Sequence, residues 1–251
     1  MSGHSKWAGI KHKKAIVDAK KSKEFTKVAS LISVAAKQGG SDPKMNFSLR
    51  LAIDKARAAN MPANNIERAI KRGLGELGEV APEELIYEGY GPAGVAVLVE
   101  AMTDNRNRTA SELRSIFSKH GGNMADAGAV AYIFEQKGQI NINPNNQKLS
   151  KDNLELAVID SGADDFEESE AVLIVYTLKA NLQGIKKSLE SNKIVISETE
   201  ITYIPKNEVN INDEAVARKI MKLIDSLEEV EDVTAVHANF DLSEEVLEKI
   251  S

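Results

Sequence analysis

From Leu85 onward, short aliphatic runs alternate with amphipathic helical stretches, and few folds accommodate that alternation. Val95–Val99 is apolar almost without interruption and reads as a strand. Thr109-Ala110-Ser111-Glu112 fits a capping box, with Leu113, Ile116 and Phe117 on the inner face of the helix it would open. Gly121-Gly122 closes that helix. A strand over Ala129–Phe134 is predicted to continue through Gly138 toward Ile142. Then come a helix over Leu154–Ile159 capped near Ser150, a strand over Val172–Leu178, a helix marked by Leu182, Ile185 and Leu189, and a strand over Ile194–Ile204. Asn212 is read as the cap of a last helix, with Val216, Ile220, Leu223, Ile224 and Leu227 inward, before a strand over Val233–Phe240. The order is long enough for two split βαβ units of the ferredoxin-like kind. One falls at 130–204. Its flanks, 79–129 and 205–245, each supply half of the other.

Residues 1–75 follow a different pattern. Phe25, Val28, Ile32 and Ala35 recur at helical spacing within Lys23–Gln38, and Gly39-Gly40 stops the helix. A second helix is expected over Asn46–Ala59, with Leu49, Ala52, Ile53 and Ala56 on one face. Pro62 is placed to open a third, in which Ile66, Ala69 and Ile70 face inward and Gly73 ends the run. The expected class is therefore α+β in three domains. These are a basic helical domain at 1–75, a discontinuous ferredoxin-like domain at 79–129 and 205–245, and a second one at 130–204 inserted in it.

Charge separates the parts more sharply still. Residues 1–75 hold 16 Lys and Arg against 5 Asp and Glu, and the remainder holds 16 against 33, so the net charge of −6 conceals a basic module on an acidic body. Such a chain binds polyanions through one end and repels them elsewhere. The basic residues are densest at the start: Lys6, Lys11, Lys13, Lys14, Lys20, Lys21, Lys23 and Lys27 are opposed only by Asp18 and Glu24. Trp7, His4, Ser5 and His12 lie among them, with Ile10, Ile16 and Val17. Ammonium groups suit phosphates and an indole face suits exposed bases. A Lys-rich start is also what a solvated tail looks like, but such a tail has no use for the interleaved Trp and Ile.

Several chemistries find no support. The chain has no Cys, which excludes disulfides and thiolate catalysis and fits a reducing compartment. It has no long apolar run and no apolar signal core at its N-terminus, so no membrane span is expected and the cytoplasm is. His4, His12, His120 and His237 form no metal-ligand spacing, and the acidic run Asp164–Glu170 lacks the pattern of a calcium loop and reads as a solvated loop. Neither metal nor cofactor is expected. Gly73-Leu74-Gly75-Glu76-Leu77-Gly78 matches a dinucleotide fingerprint only in letters, because a helix rather than a strand precedes it; it reads as a linker. No convergent acid–base set is visible, which argues against an enzyme.

Two loops invite contact readings. Tyr87–Gly94 is a Gly-rich stretch with two aromatics, either a contact loop or a tight turn packing its tyrosines. Asp104-Asn105-Arg106-Asn107-Arg108-Thr109 joins a strand to a helix start. There Arg106 and Arg108 would seat a phosphate, unless they pair with nearby acids while Asp104 and the asparagines cap the helix.

The segments GHSKWAGIKHKK, LRLAIDKARAANMPANNIERAIKRG, YEGYGP, GVAVLVEAMTDNRNRT and FSKHGGN together resemble the YebC/PmpR family along essentially the whole chain. The resemblance implies one helical and two α+β domains. It also implies nucleic-acid contact through Gly3, His4, Ser5, Lys6, Trp7, Ile10, Lys11, His12 and Lys13. Family members have been assigned two roles, as DNA-binding transcriptional regulators and as ribosome-associated translation factors that help proline-rich stretches. Three positions depart from the family pattern. Ser48 stands where many members have Arg, Met124-Ala125-Asp126 replaces a usual Leu-Gly, and Ala93 replaces a common Gly, which implies a turn with less need of positive φ. The polar faces of the expected helices carry Lys rather than base-reading groups, with Asn64, Asn65 and Arg68 the base-edge candidates. No zipper or long seam is present. The reading that results is a monomeric, non-enzymatic regulator of gene expression acting on rRNA or tRNA at the ribosome, with promoter DNA as the alternative target.

Overall fold

The computed structural model describes residues 19–169 and 171–250. In chain order the helices α1 (Ala19–Gly39), α2 (Phe47–Ala58) and α3 (Ala63–Gly73) precede strands β1 (Glu83–Tyr90) and β2 (Ala96–Thr103), helix α4 (Arg106–Lys119) and strand β3 (Asn123–Ala125). Then follow β4 (Phe134–Ile142), α5 (Lys151–Asp160), β5 (Asp165–Glu168), β6 (Leu173–Leu178), α6 (Leu182–Ser191) and β7 (Ile196–Pro205). The chain closes with β8 (Val209–Ile211), α7 (Glu214–Glu228), β9 (Val233–Ala238), β10 (Phe240–Leu242) and α8 (Glu244–Ile250). It forms two compact units, one from Phe134–Lys206 and one from the described residues on either side of it.

In the larger unit, α1, α2 and α3 enclose their own core. Val28, Ile32, Ala35 and Ala36 meet Leu49, Ala52, Ile53, Ala56, Met61, Ile66 and Ala69, as the helical spacing of these residues predicts. Two polar residues fix the packing. Ser33, fully buried, donates its hydroxyl to the carbonyls of Ala29 and Ala69 at 2.9 and 2.8 Å, tying α1 to α3. Asn46 caps α2 by accepting from the Leu49 amide, and its Nδ2 donates to Ala35 O and Gly40 O at 2.7 and 2.9 Å. Gly73 must be glycine for space: a Cβ there would lie 2.2 Å from the Ser33 carbonyl oxygen.

The same unit holds an antiparallel sheet in the order β3-β1-β2-β9. Phe117 of α4 packs beneath Gly89, where a Cβ would come within 2.7 Å of the ring, and Leu223 of α7 approaches Gly91. Both helices thus cover one face, and α1 packs against β2 and β9. β8 and β10 pair in parallel as a separate ribbon.

Phe134–Lys206 runs β-α-β-β-α-β and forms a second antiparallel sheet in the order β5-β6-β4-β7, the topology of a split βαβ unit. Ile140, Ile142, Leu173, Val175, Leu182 and Leu189 are fully buried in it.

Several local expectations need correction. Tyr87–Tyr90, read as a loop, is the end of β1, paired along its length with β2; only Gly91–Gly94 turns. Strand β4 begins at Phe134, because Ala131–Ile133 forms a 3₁₀ turn. The cap of α4 is Asn105, which accepts from the Arg108 amide, and Thr109 lies a turn inside the helix. The cap of α7 is Asp213 rather than Asn212. Part of the acidic run, Asp165–Glu168, is strand β5 instead of loop, because β6 supplies a pairing partner. Ala93 sits at φ 59°, ψ 19°, so the turn does demand the left-handed conformation that the residue identity argued against.

Candidate nucleic-acid interface

Of the residues expected to touch nucleic acid, His4, Ser5, Lys6, Trp7, Lys11, His12, Lys13 and Lys14 lie outside the described residues, and the side chains of Lys20 and Lys21 do also. The structure describes Lys23, Lys27, Arg106 and Arg108. Each of these has a protein partner.

Lys23 and Lys27 stand one turn apart on α1 and reach the end of α7. Lys23 Nζ donates to Glu229 O at 3.2 Å, and Lys27 Nζ donates to Glu228 O. Two ammonium groups thus meet carbonyls that the last turn of α7 leaves without helical partners, at the negative end of its dipole.

Arg106 Nε pairs with Glu83 at 2.7 Å. Arg108 Nη2 donates to both oxygens of Asp232, at 3.0 and 2.9 Å, and to Asp104 at 3.3 Å. Asp232 Oδ2 also accepts from the hydroxyls of Thr109 at 2.6 Å and Thr103 at 3.1 Å, two residues with almost no exposure. Hydrogen bonding to Asp232 holds the Arg108 guanidinium charged still more firmly than usual. Arg72, from the end of α3, pairs with Glu79 and Asp104. Asp232 thus pairs with Arg108 beside this helix start and Glu83 with Arg106, while both arginine side chains keep half or more of their surface exposed. The arrangement is the ion-pair alternative weighed from the sequence, with Asn105 as cap. Its function is to join β2, α4 and the turn before β9.

The helical segment keeps other cations on its surface. Lys37, Lys44, Arg57 and Lys71 are exposed, and so are Asn64 and Asn65 at the start of α3. Arg68 is exposed but paired to Glu79 at 3.2 Å. Arg50 lies over the Phe47 ring at 5.2 Å and donates to Pro43 O, so it braces α2.

Three further polar residues carry structural weight that the sequence did not signal. Glu88 on β1 is 5 % exposed and accepts from the amides of Gly128, Val130 and Ala131 at 2.7, 2.6 and 2.8 Å. Burial alone would raise its pKa; the three N–H donors outweigh burial and hold the carboxyl below the ordinary Glu range. His237 on β9 is buried with its Nε2 2.6 Å from Glu100 Oε1 on β2. His120 ends α4 and places Nε2 3.0 Å from the Ser226 hydroxyl of α7. A lone Glu in a strand or a His before Gly-Gly looks the same whether it faces solvent or a partner 40 to 140 residues away. Among the described residues, no three His, Asp or Glu side chains are grouped to hold a metal ion, and no helix is long and apolar enough to cross a membrane.

The fold and the polar joints define a mixed helix-and-sheet protein whose amino-terminal helices are the basic part. Known proteins share this plan. The family model described as the TACO1/YebC protein N-terminal domain matches residues 5–76, and the one for the TACO1/YebC second and third domain matches residues 82–240. The chain belongs to the TACO1/YebC family. Relatives named "Probable transcriptional regulatory protein" include one from Persephonella marina, 50% identical over the full length of both chains, and one from Halothermothrix orenii, 47% identical over 100% of this chain and 99% of the relative. The crystal structure of a conserved hypothetical protein, Aq1575, from Aquifex aeolicus is similar with a TM-score of 0.86 at 48% identity, covering 93% of this chain and 96% of that one.

Proposed function

We propose that this chain is a non-enzymatic regulator of gene expression that binds nucleic acid chiefly through its basic start, and that its target is RNA of the ribosome. The observation that carries the reading is the charge division: 16 basic against 5 acidic residues up to residue 75, and the reverse excess beyond. The contact residues of this reading are His4, Ser5, Lys6, Trp7, Lys11, His12, Lys13, Lys14, Lys20, Lys21, Lys23 and Lys27, with Arg106 and Arg108, half or more exposed while paired, as a second contact. Lys and imidazole groups interleaved with an indole suit irregular RNA with splayed bases. Help to the ribosome on proline-rich stretches is the finer form of this reading. The protein acts as a cytoplasmic monomer without a cofactor.

The same reading divides the chain into three domains, 1–75, 79–129 with 205–245, and 130–204. The self-contained core of α1–α3 supports this, as do two family models that meet between residues 76 and 82. Promoter DNA is the second target, favoured by the name that the relatives carry. Against it, the helix faces offer few groups for base edges, and one of them, Arg68, is paired to Glu79.

Co-sedimentation with ribosomes at about 0.15 M salt, where surface charge is already well screened, separates the two targets. Pelleting that excess duplex DNA fails to reverse supports the ribosome. Ready stripping by DNA, or no pelleting, transfers the assignment to DNA.

A further inference from the structure

Beyond residue 75 the chain is acidic, but its charge is unevenly spread. Helices α4 and α7 carry seven of the 16 basic residues there and only four of the 33 acidic ones. Three of the seven are engaged: Arg106 pairs with Glu83, Arg108 with Asp232 and Arg218 with Glu214. Arg114, Lys119, Lys219 and Lys222 are exposed, and none forms an ion pair with a described residue. Three of these four gather where α4 and α7 meet. The joint is fixed by His120, whose Nε2 lies 3.0 Å from the Ser226 hydroxyl. Lys119 adjoins His120. Lys222 and Lys219 stand one and two turns before Ser226, within an arc of about 60° around α7. The exposed acids of the two helices lie elsewhere. Glu112 is two turns back from Lys119, and Asp225 is about 100° round from Ser226, on the side where Arg218 donates to Lys249 O of α8.

Two glycine turns meet at the same joint. A Cβ on Gly122 would lie 2.4 Å from Tyr90 O, and one on Gly91 would lie 3.0 Å from Leu223 Cδ2 of α7. The turn from β1 to β2 and the corner from α4 to β3 are thus packed backbone to backbone beside α7. Ala93, Gly94 and Gly121 at their tips are exposed and carry nothing larger than a methyl group. Such a surface lets the backbone of a ligand approach closely. We infer that this end of the α4–α7 layer is a further contact for RNA. Lys119, Lys219 and Lys222 meet phosphates, and the small-residue turns leave room for the sugar–phosphate chain. The contact lies at the opposite end of α4 from Arg106 and Arg108. It rests on the proposed function and extends it, since it gives the acidic part of the chain a place on the same polyanion. Three ammonium groups alone do not hold RNA at about 0.15 M salt; they add to the basic start as the weaker half of a two-point contact.

The probe is a fluorescein-labelled ribosomal RNA fragment with a hairpin and single-stranded flanks, titrated with the full chain by anisotropy. Lys119→Ala, Lys219→Ala and Lys222→Ala combined should weaken binding about ten-fold at about 0.15 M salt. The slope of log K against log salt should shrink by about 2–3, for three lost phosphate contacts at about 0.7–0.9 each. The control Lys148→Ala, Lys179→Ala and Lys187→Ala removes the same charge elsewhere and should change affinity less than about two-fold, since distant charges are screened at that salt. Equal losses in both triple variants overturn the inference, because net charge and not a surface would then be at work. So does a first variant that binds the RNA with unaltered affinity and slope, and in that case the proposed function stands. Should the first variant fail to melt cooperatively, acetylation of the unaltered chain decides: RNA should shield Lys119, Lys219 and Lys222 from an N-hydroxysuccinimide ester, and equal labelling with and without RNA overturns the inference. If the unaltered chain binds duplex DNA in place of the RNA, with the same loss in the variant, the ribosomal reading falls and the surface stands as a phosphate contact. Binding to neither overturns both.

Discussion

Ala93 and Glu88 show how single residues pin the turns of the β3-β1-β2-β9 sheet. Ala93 holds φ 59° in the turn from β1 to β2. A left-handed conformation costs an L-residue about 1 kcal/mol that glycine does not bear. Ala93→Gly should therefore stabilise the fold by up to about 1 kcal/mol, less what glycine loses in the unfolded chain, and a denaturant melt would show it. Glu88 holds the loop at 128–131 through three amides, and that loop leads into β4. Its depressed pKa gives a signed expectation. The stabilisation is fully present above the unfolded-state value of about 4.3 and is lost as pH falls through the lower folded value. Glu88→Gln should cost about 2 kcal/mol at neutral pH, because a charge-assisted acceptor becomes an amide facing three donors. It should also flatten the acid limb of a stability-versus-pH curve below about pH 4.3. An unchanged acid limb would remove Glu88 as its source. Neither role was legible in the sequence, since backbone sign and long-range acceptors leave no local pattern.

At the scale of elements, the joints between helices and strands are polar and the faces are apolar. Asn46 bridges α1 and α2 with a cap and two side-chain donations. Asn46→Ala should cost about 2–3 kcal/mol, more than a solvent-exposed cap, since it strands buried carbonyls as well. Asp232 serves the same purpose between α4, β2 and β9. Asp232→Asn should destabilise more than Arg108→Ala, because Asp232 is mostly buried and serves two buried hydroxyls, whereas Arg108 is half exposed and its pair is partly screened by solvent. The reverse order in thermal melts would show that the arginine, not the carboxylate, organises the joint. The apolar face of α2 and the inward residues of α4 and α6 were readable from spacing alone, since helical periodicity is local. The caps at Asn105 and Asp213 were misplaced by one to four residues, because Asn, Asp, Ser and Thr cluster at both starts and only backbone geometry selects among them.

For the whole molecule, the division of charge predicts separable behaviour. Removing residues 1–22, and with them most of the basic start, should abolish polyanion binding at about 0.15 M salt. It should also leave a cooperative melting transition, because the cluster from Val28 to Ala69 and the cores beneath the two sheets are built from residues beyond it. A truncated chain that still binds would move the contact to the surface of Lys37, Lys44, Arg57 and Lys71; one that no longer melts cooperatively would refute separability. The sequence by itself determined the α+β class, the basic start, the alternation that yields two antiparallel sheets, and the family. All of these are written in composition, period and contiguous motifs. Only the tertiary structure decided that Lys23 and Lys27 close the end of α7, that Asp232 pairs with Arg108, and that acids of β5 and β7 flank one sheet face. Each of those depends on which distant residue lies within about 3 Å, and hydrogen bonding and charge pairing at that range answer to the folded path of the chain rather than to neighbours in sequence.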